Sequence, residues 1–163
     1  MKKWINRIAS AVLTIGWMTV IFGFSGQNKE KSEGLSARIV NWLLSVFTKE
    51  PVSEQVKDTL TFFVRKCAHM TEFAILALLI LWVVVSWTKF RGRKAVITAL
   101  AVSVAFAATD EIHQTFVDGR AGRVYDVIID SIGAFCGLLL CSLIMQCKKA
   151  KGKSSDNSRV MDN

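Results

Sequence analysis

The chain has 163 residues, 52% of them hydrophobic and only one a proline, a composition that excludes an ordinary soluble domain and leaves no obvious linker between two. Its formal charge is +8, from 21 Lys and Arg against 13 Asp and Glu. The basic residues cluster between long apolar runs with no aromatic-basic platform, which argues against a nucleic-acid partner and for a membrane surface.

Four runs approach membrane length. Residues 8–24 carry no charge, and residues 68–87 are interrupted only by His69 and Glu72. Residues 95–109 are uncharged but short, so a third span needs Asp110 and Glu111 near the interface; residues 127–146 hold a single acid, Asp130. Taken alone, the third run also suits a buried helix of a soluble protein, but between other membrane runs it reads as a crossing. The fold expected is all-α, an integral membrane four-helix bundle formed by residues 1–147. Between the first two spans, Leu35, Ile39, Trp42, Leu43, Val46 and Phe47 recur at helical spacing, with Arg38, Asn41 and Ser45 elsewhere on the wheel. This pattern predicts an amphipathic helix lying at the membrane interface within the first outer loop. Pro51 then breaks the chain, and Ser53 is the N-cap expected for a helix that starts with Glu54 and runs into the second span. Residues 148–163 are polar and rich in Lys and Ser, the composition of a disordered basic tail. The four cysteines, Cys67, Cys136, Cys141 and Cys147, include no C-x-x-C pair and read as free thiols.

Charge sets the orientation. The first seven residues, the connection 88–94 and the tail hold twelve Lys and Arg against two acids, whereas in the other two connections nine basic residues meet nine acids. Both termini are therefore expected in the cytoplasm, with the long first loop and the third loop outside. The basic start and Gly23-Phe24-Ser25 also fit a cleaved secretory signal, which would leave those loops on the same side.

The polar residues that do not suit a membrane all fall at the outer ends of the spans. Ser25 and Gln27 end the first; Arg65, Lys66, His69 and Glu72 open the second; Asp110, Glu111, His113 and Gln114 end the third; Asp126 and Asp130 open the fourth. Arg65, His69 and Glu72 share a helix face, as do Asp110, His113 and Gln114, and Asp126 with Asp130. Glu72 and Asp130 lie deepest, where an ionised carboxylate costs roughly 2.5–3.5 kcal/mol, so each faces inward, pairs with a cation or is protonated. Arg65, Arg120 or Arg123 could neutralise these acids in a purely structural network. Two histidines and so many ionisable groups at one level point instead to a site. Singly, Ser25 and Gln27 read as helix-end hydrogen bonders, Lys66 as an interfacial anchor, and Gly119, Gly122, Gly133 and Gly137 as turn or close-packing residues. His69-x-x-Glu72 and Glu111-x-His113 with Asp126 and Asp130 could supply metal ligands. No H-E-x-x-H occurs, however, and the arginines compete for the same carboxylates, so no metal or other cofactor is assigned.

These pieces resemble the VanZ-like family of small membrane proteins. The resemblance lies in Phe24-Ser25-Gly26-Gln27, Arg65-Lys66-Cys67-Ala68-His69-Met70-Thr71-Glu72-Phe73, Asp110-Glu111-Ile112-His113-Gln114-Thr115-Phe116, Asp118-Gly119-Arg120 and Asp126-Val127-Ile128-Ile129-Asp130-Ser131-Ile132-Gly133. It implies a multi-pass protein of the bacterial cell membrane and, through the family's namesake, a link to resistance against the lipoglycopeptide teicoplanin. Many relatives carry proline before the glycine of the third loop, where this chain has Asp118, which predicts a looser turn. The third motif, with His113, also differs from that of the namesake.

Two functions compete. In the first, an outer-leaflet polar pocket formed by Ser25, Gln27, Arg65, Lys66, His69, Glu72, Asp110, Glu111, His113, Gln114, Arg120, Asp126 and Asp130 binds a lipid headgroup, a lipid-linked cell-wall precursor or a lipidated drug. In the second, an intramembrane hydrolase or transferase uses Glu72, His113 or Asp130 as general base while Arg65 and Arg120 hold a substrate phosphate. The sequence contains no nucleophile elbow, phosphate loop or cofactor fingerprint, which favours the binding role.

Overall fold

A computed structural model describes residues 1–27, 29–48, 52–120 and 122–161, with side chains for all of these except 29, 31 and 149–161. It contains α1 (Lys2–Ser25), α2 (Lys29–Phe47), α3 (Glu54–Trp87), α4 (Gly92–Gln114) and α5 (Val124–Met161), and no strand among the described residues. Four of the helices are long and apolar enough to cross a membrane: α1, α3, α4 and the Val124–Lys148 part of α5. Each overruns its apolar run, because the helical backbone satisfies its own hydrogen bonds whether the side chains beside it are apolar or polar. The third run illustrates this. Its 23-residue helix, at 1.5 Å per residue, is about 35 Å long and exceeds a hydrocarbon core of about 30 Å.

Over residues 95–107 of α4 the buried side is made of small residues, whereas large apolar residues face outward. Helix α4 presents Ala95, Ala99, Ser103 and Ala107 every fourth residue, all buried, while Ile97 on the opposite side is 65% exposed. Such inversion suits a lipid solvent, in which close backbone approach stabilises helix pairs and apolar exposure carries no penalty. Helix α3 is the hub and packs against each of the other four. Its seam with α5 is closest at Gly133 and Gly137: a Cβ at Gly133 would lie 2.3 Å from the Met70 carbonyl oxygen, and one at Gly137 2.9 Å from that of Ala74. Phe73, Leu76, Ala77, Ile80 and Val84 of α3 form the apolar core with Ile21, Ala134 and Leu138.

Helix α2 crosses nothing. It buries Ser36 and Val40 and packs on α3, while Leu35, Ile39, Trp42, Val46 and Phe47 remain exposed beside a polar sector with Arg38, Asn41 and Ser45. The helix expected from Ser53 into the second span is continuous α3. Ser53 is its extended N-cap residue, but its side chain makes no cap bond; its carbonyl accepts from the Val56 and Lys57 amides, each at 3.1 Å. Pro51 lies outside the described residues. The helical backbone of α5 continues past Lys148 to Met161, and no proline interrupts it. All four cysteines are free.

At the end of the bundle away from the acidic and histidine residues, Arg7 lies between the Trp4 and Trp87 rings, 5.7 and 5.6 Å from their centroids, and donates to the Ser86 carbonyl. Asn6 joins the same two helices through Ser86 and Trp82. This aromatic and basic collar ties α1 to α3 and leaves the cluster of acids and histidines to the other end.

Candidate functional site

Four helix ends and one tight turn deliver polar side chains to a single level. Ser25, the last residue of α1, donates from Oγ to Asp110 Oδ2 at 2.6 Å. Gln114, one turn beyond Asp110 on α4, donates from Nε2 to the same oxygen at 3.1 Å and accepts from Arg120 Nη1 at 3.0 Å through Oε1. Since Gln114 must donate one way and accept the other, its amide orientation is fixed, and a polar chain runs from Ser25 through Asp110 and Gln114 to Arg120. Asp110 is fully buried, and its Oδ1 has no hydrogen-bond partner among the described residues. Its neighbour Glu111 accepts the Arg123 amide at 2.7 Å through Oε1, satisfying a donor at the start of α5, while its buried Oε2 has no partner among the described residues.

Arg120 is aimed inward by its turn. The Arg120 amide donates to the Val117 carbonyl at 3.1 Å, and Gly119, with φ of 75°, supplies the positive φ that the third position of such a turn needs. The turn thus closes with Asp118 before the glycine. Burial, followed by the Arg65 guanidinium, draws the Arg120 guanidinium below its ordinary pKa, against the opposing pull of Asp110, Glu111 and Asp126. It remains a cation at physiological pH.

Beside this chain lies a cavity of about 410 Å³. Its cations are Arg65, Lys66, Arg120 and Arg123; its acids are Glu33 and Asp126; and His69, Phe62, Gln114 and Gly119 complete the wall. Lys66 pairs with Asp126 across α3 and α5 and sits 5.5 Å from the centroid of the Phe62 ring. Arg65 Nη1 donates to Glu33 Oε1 of α2 at 3.2 Å. His69 Nδ1 stands 3.8 Å from Glu72 and 4.0 Å from Asp130, placing one imidazole between two carboxylates at the cavity wall. Cations and two acids therefore share the cavity wall, while Asp110, Glu111 and Asp130 are buried. Among the described residues no three His, Cys, Asp or Glu side chains are grouped to hold a metal ion.

The family model for VanZ/LLP1 matches residues 10–145, a stretch that includes every residue of the cavity wall. The chain belongs to the VanZ/LLP1 family. No curated protein and no solved structure matches it.

The structure of this VanZ/LLP1 protein gathers most of the residues singled out by sequence but alters their pairing. Asp130 was expected to pair with Arg65 or a third-loop arginine. Instead Arg65 turns to Glu33, Arg120 to Gln114, and the nearest basic side chain to Asp130 is His69. Lys66, expected as an interfacial anchor, is an ion-paired member of the wall with a side chain 14% exposed. His113 lies away from the cavity against the Phe22 ring, with centroids 4.9 Å apart, and its buried Nδ1 has no partner among the described residues. Gln27 sits in the turn after α1, its amide donating to the Phe24 carbonyl, and does not line the cavity. Sequence reasoning missed Glu33 and Phe62. Phe62 lies one helical turn before Lys66 and could have been found from that spacing, whereas nothing in the α2 pattern singles out Glu33.

Proposed function

We propose that the cavity binds the phosphate-bearing headgroup of a membrane lipid or lipid-linked cell-wall precursor, in the outer leaflet of a bacterial cell membrane, with both termini cytoplasmic. The observation that carries this reading is the convergence of Arg65, Lys66, Arg120 and Arg123 on one cavity at the interfacial end of a membrane bundle. Two of these cations have carboxylate partners in Glu33 and Asp126, so the wall keeps an excess of positive charge for an anion. Guanidinium groups suit phosphate because they offer several donors in a planar fork. The adjacent apolar face of α2 lies in the same leaflet, where a lipid's acyl chains would run. Occupancy of this kind is also how the protein would contribute to resistance against a lipidated glycopeptide, by withholding a precursor or holding the drug's lipid-bearing end.

Calorimetric titration of the detergent-purified protein with inorganic pyrophosphate and with dihexanoyl phosphatidic acid tests the reading. Both bind, more weakly as salt rises, and Arg120→Ala lowers affinity tenfold or more, in line with the roughly 1.5–3 kcal/mol of a charged hydrogen bond. Equal heats for wild type and variant overturn it. A second reading rests on His69 between Glu72 and Asp130, an arrangement able to accept a proton: intramembrane hydrolysis of the bound phosphate ester. Release of inorganic phosphate from the short-chain lipid, abolished by His69→Ala, decides for that reading.

A further inference from the structure

A second cavity, of about 430 Å³, lies between α2 and α3 and is lined by Glu33, Gly34, Ala37, Asp58, Thr61, Phe62 and Arg65. Glu33, Phe62 and Arg65 also line the first cavity, so these three side chains form the partition between the two spaces. An ion pair between Arg65 and Glu33, whose side chains are 24% and 44% exposed, crosses that partition.

We infer that Glu33 is a built-in occupant of the anion site, a latch whose carboxylate holds Arg65 until a ligand phosphate displaces it, releasing the start of α2 and joining the two cavities. The inference rests on the headgroup reading above. A carboxylate oxygen and a phosphate oxygen make the same kind of contact with a guanidinium, so one can replace the other without Arg65 leaving its place on α3. Exchange is easy because the pair is partly hydrated, and pairs of that kind are weakly held. Its effect is local to α2. Among its described residues that helix buries Ser36 and Val40, both C-terminal to Glu33, and it packs on α3, so loss of the ion pair loosens the first turns while those residues keep the rest in place. The joined space accommodates a headgroup larger than a bare phosphate, with the phosphate among Arg65, Arg120 and Arg123 and its substituent beside Gly34, Ala37 and Thr61.

The test compares wild type with Glu33→Gln, which keeps the side chain's size and removes its charge. Pyrophosphate binding is measured by calorimetry, and backbone exchange of α2 by hydrogen–deuterium mass spectrometry on the full-length protein in nanodiscs. The expected result is a Kd about fivefold lower for Glu33→Gln, together with ligand-dependent faster exchange at the start of α2 in wild type only. In the variant those amides already exchange fast, and ligand does not change them. A simple loss of charge repulsion would tighten binding without that exchange difference, and would overturn the latch. Unchanged affinity in Glu33→Gln also overturns it. If wild type binds and Arg120→Ala does not, while Glu33→Gln behaves as wild type, the headgroup reading stands and the latch alone fails. If wild type binds no pyrophosphate, both fail.

Discussion

Lys66 and Arg65 are adjacent in sequence, yet one reaches Asp126 on α5 and the other Glu33 on α2. Successive residues on a helix point about 100° apart, so neighbours facing the same level of a bundle select different partners. The pairing has an energetic consequence. Asp126→Asn deprives a largely buried ammonium of its carboxylate, and removal of one partner from such a pair is more damaging than removal of both. Denaturant unfolding in mixed micelles should show Asp126→Asn less stable than wild type by about 1–3 kcal/mol and the double variant with Lys66→Gln milder than the sum of the singles. The types and depths of these site residues were legible in the sequence, since helical spacing alone puts Arg65, His69 and Glu72 on one face. Their partners were not, because the rotation of each helix about its axis decides them. Asp130 shows this most clearly: the expected arginine is committed elsewhere, and a histidine of α3 takes its place.

At the scale of whole helices, hydropathy located every crossing, but their ends lay outside the apolar runs. Helix α3 begins at Glu54, well before residue 68, because nothing after Ser53 breaks its backbone ladder. That extension matters to the site, since Asp58, Thr61, Phe62, Arg65 and Lys66 all stand on it. The G-x-x-x-G of α5 was readable as a packing signal, but only the structure identifies Met70 and Ala74 of α3 as what it packs against. Because a Cβ at Gly133 would meet backbone rather than a side chain that can turn aside, Gly133→Ala forces the two helices apart. Thermal unfolding should register a loss of about 1–3 kcal/mol, with a smaller loss for Gly137→Ala, where the approach is less severe. Helix α2 was legible as amphipathic but not as a wall of the cavity: its apolar stripe governs how it faces lipid, whereas Glu33 meets Arg65 from outside that stripe.

Over the whole molecule, the ionisable cluster occupies one end of the bundle and the Trp–Arg collar the other, so the side on which the site lies is a single question of topology. The bias of twelve basic residues to two acids in the first seven residues, the connection 88–94 and the tail is the basis for proposing that the collar end faces the cytoplasm. A reporter fused after Lys94 should be active only in a form that works in the cytoplasm, and one inserted beside Thr48 only in a form that works when exported. The reverse pattern would put the cavity on the inner leaflet. The most direct measurement of what the cavity does is native mass spectrometry of the protein extracted from its own membrane. Wild type should retain a phosphate-bearing lipid at one copy per chain, and a folded Arg120→Gln, Arg123→Gln double variant should have lost it. Equal retention of the same lipids by both proteins, or retention of neutral lipids only, would contradict a headgroup site.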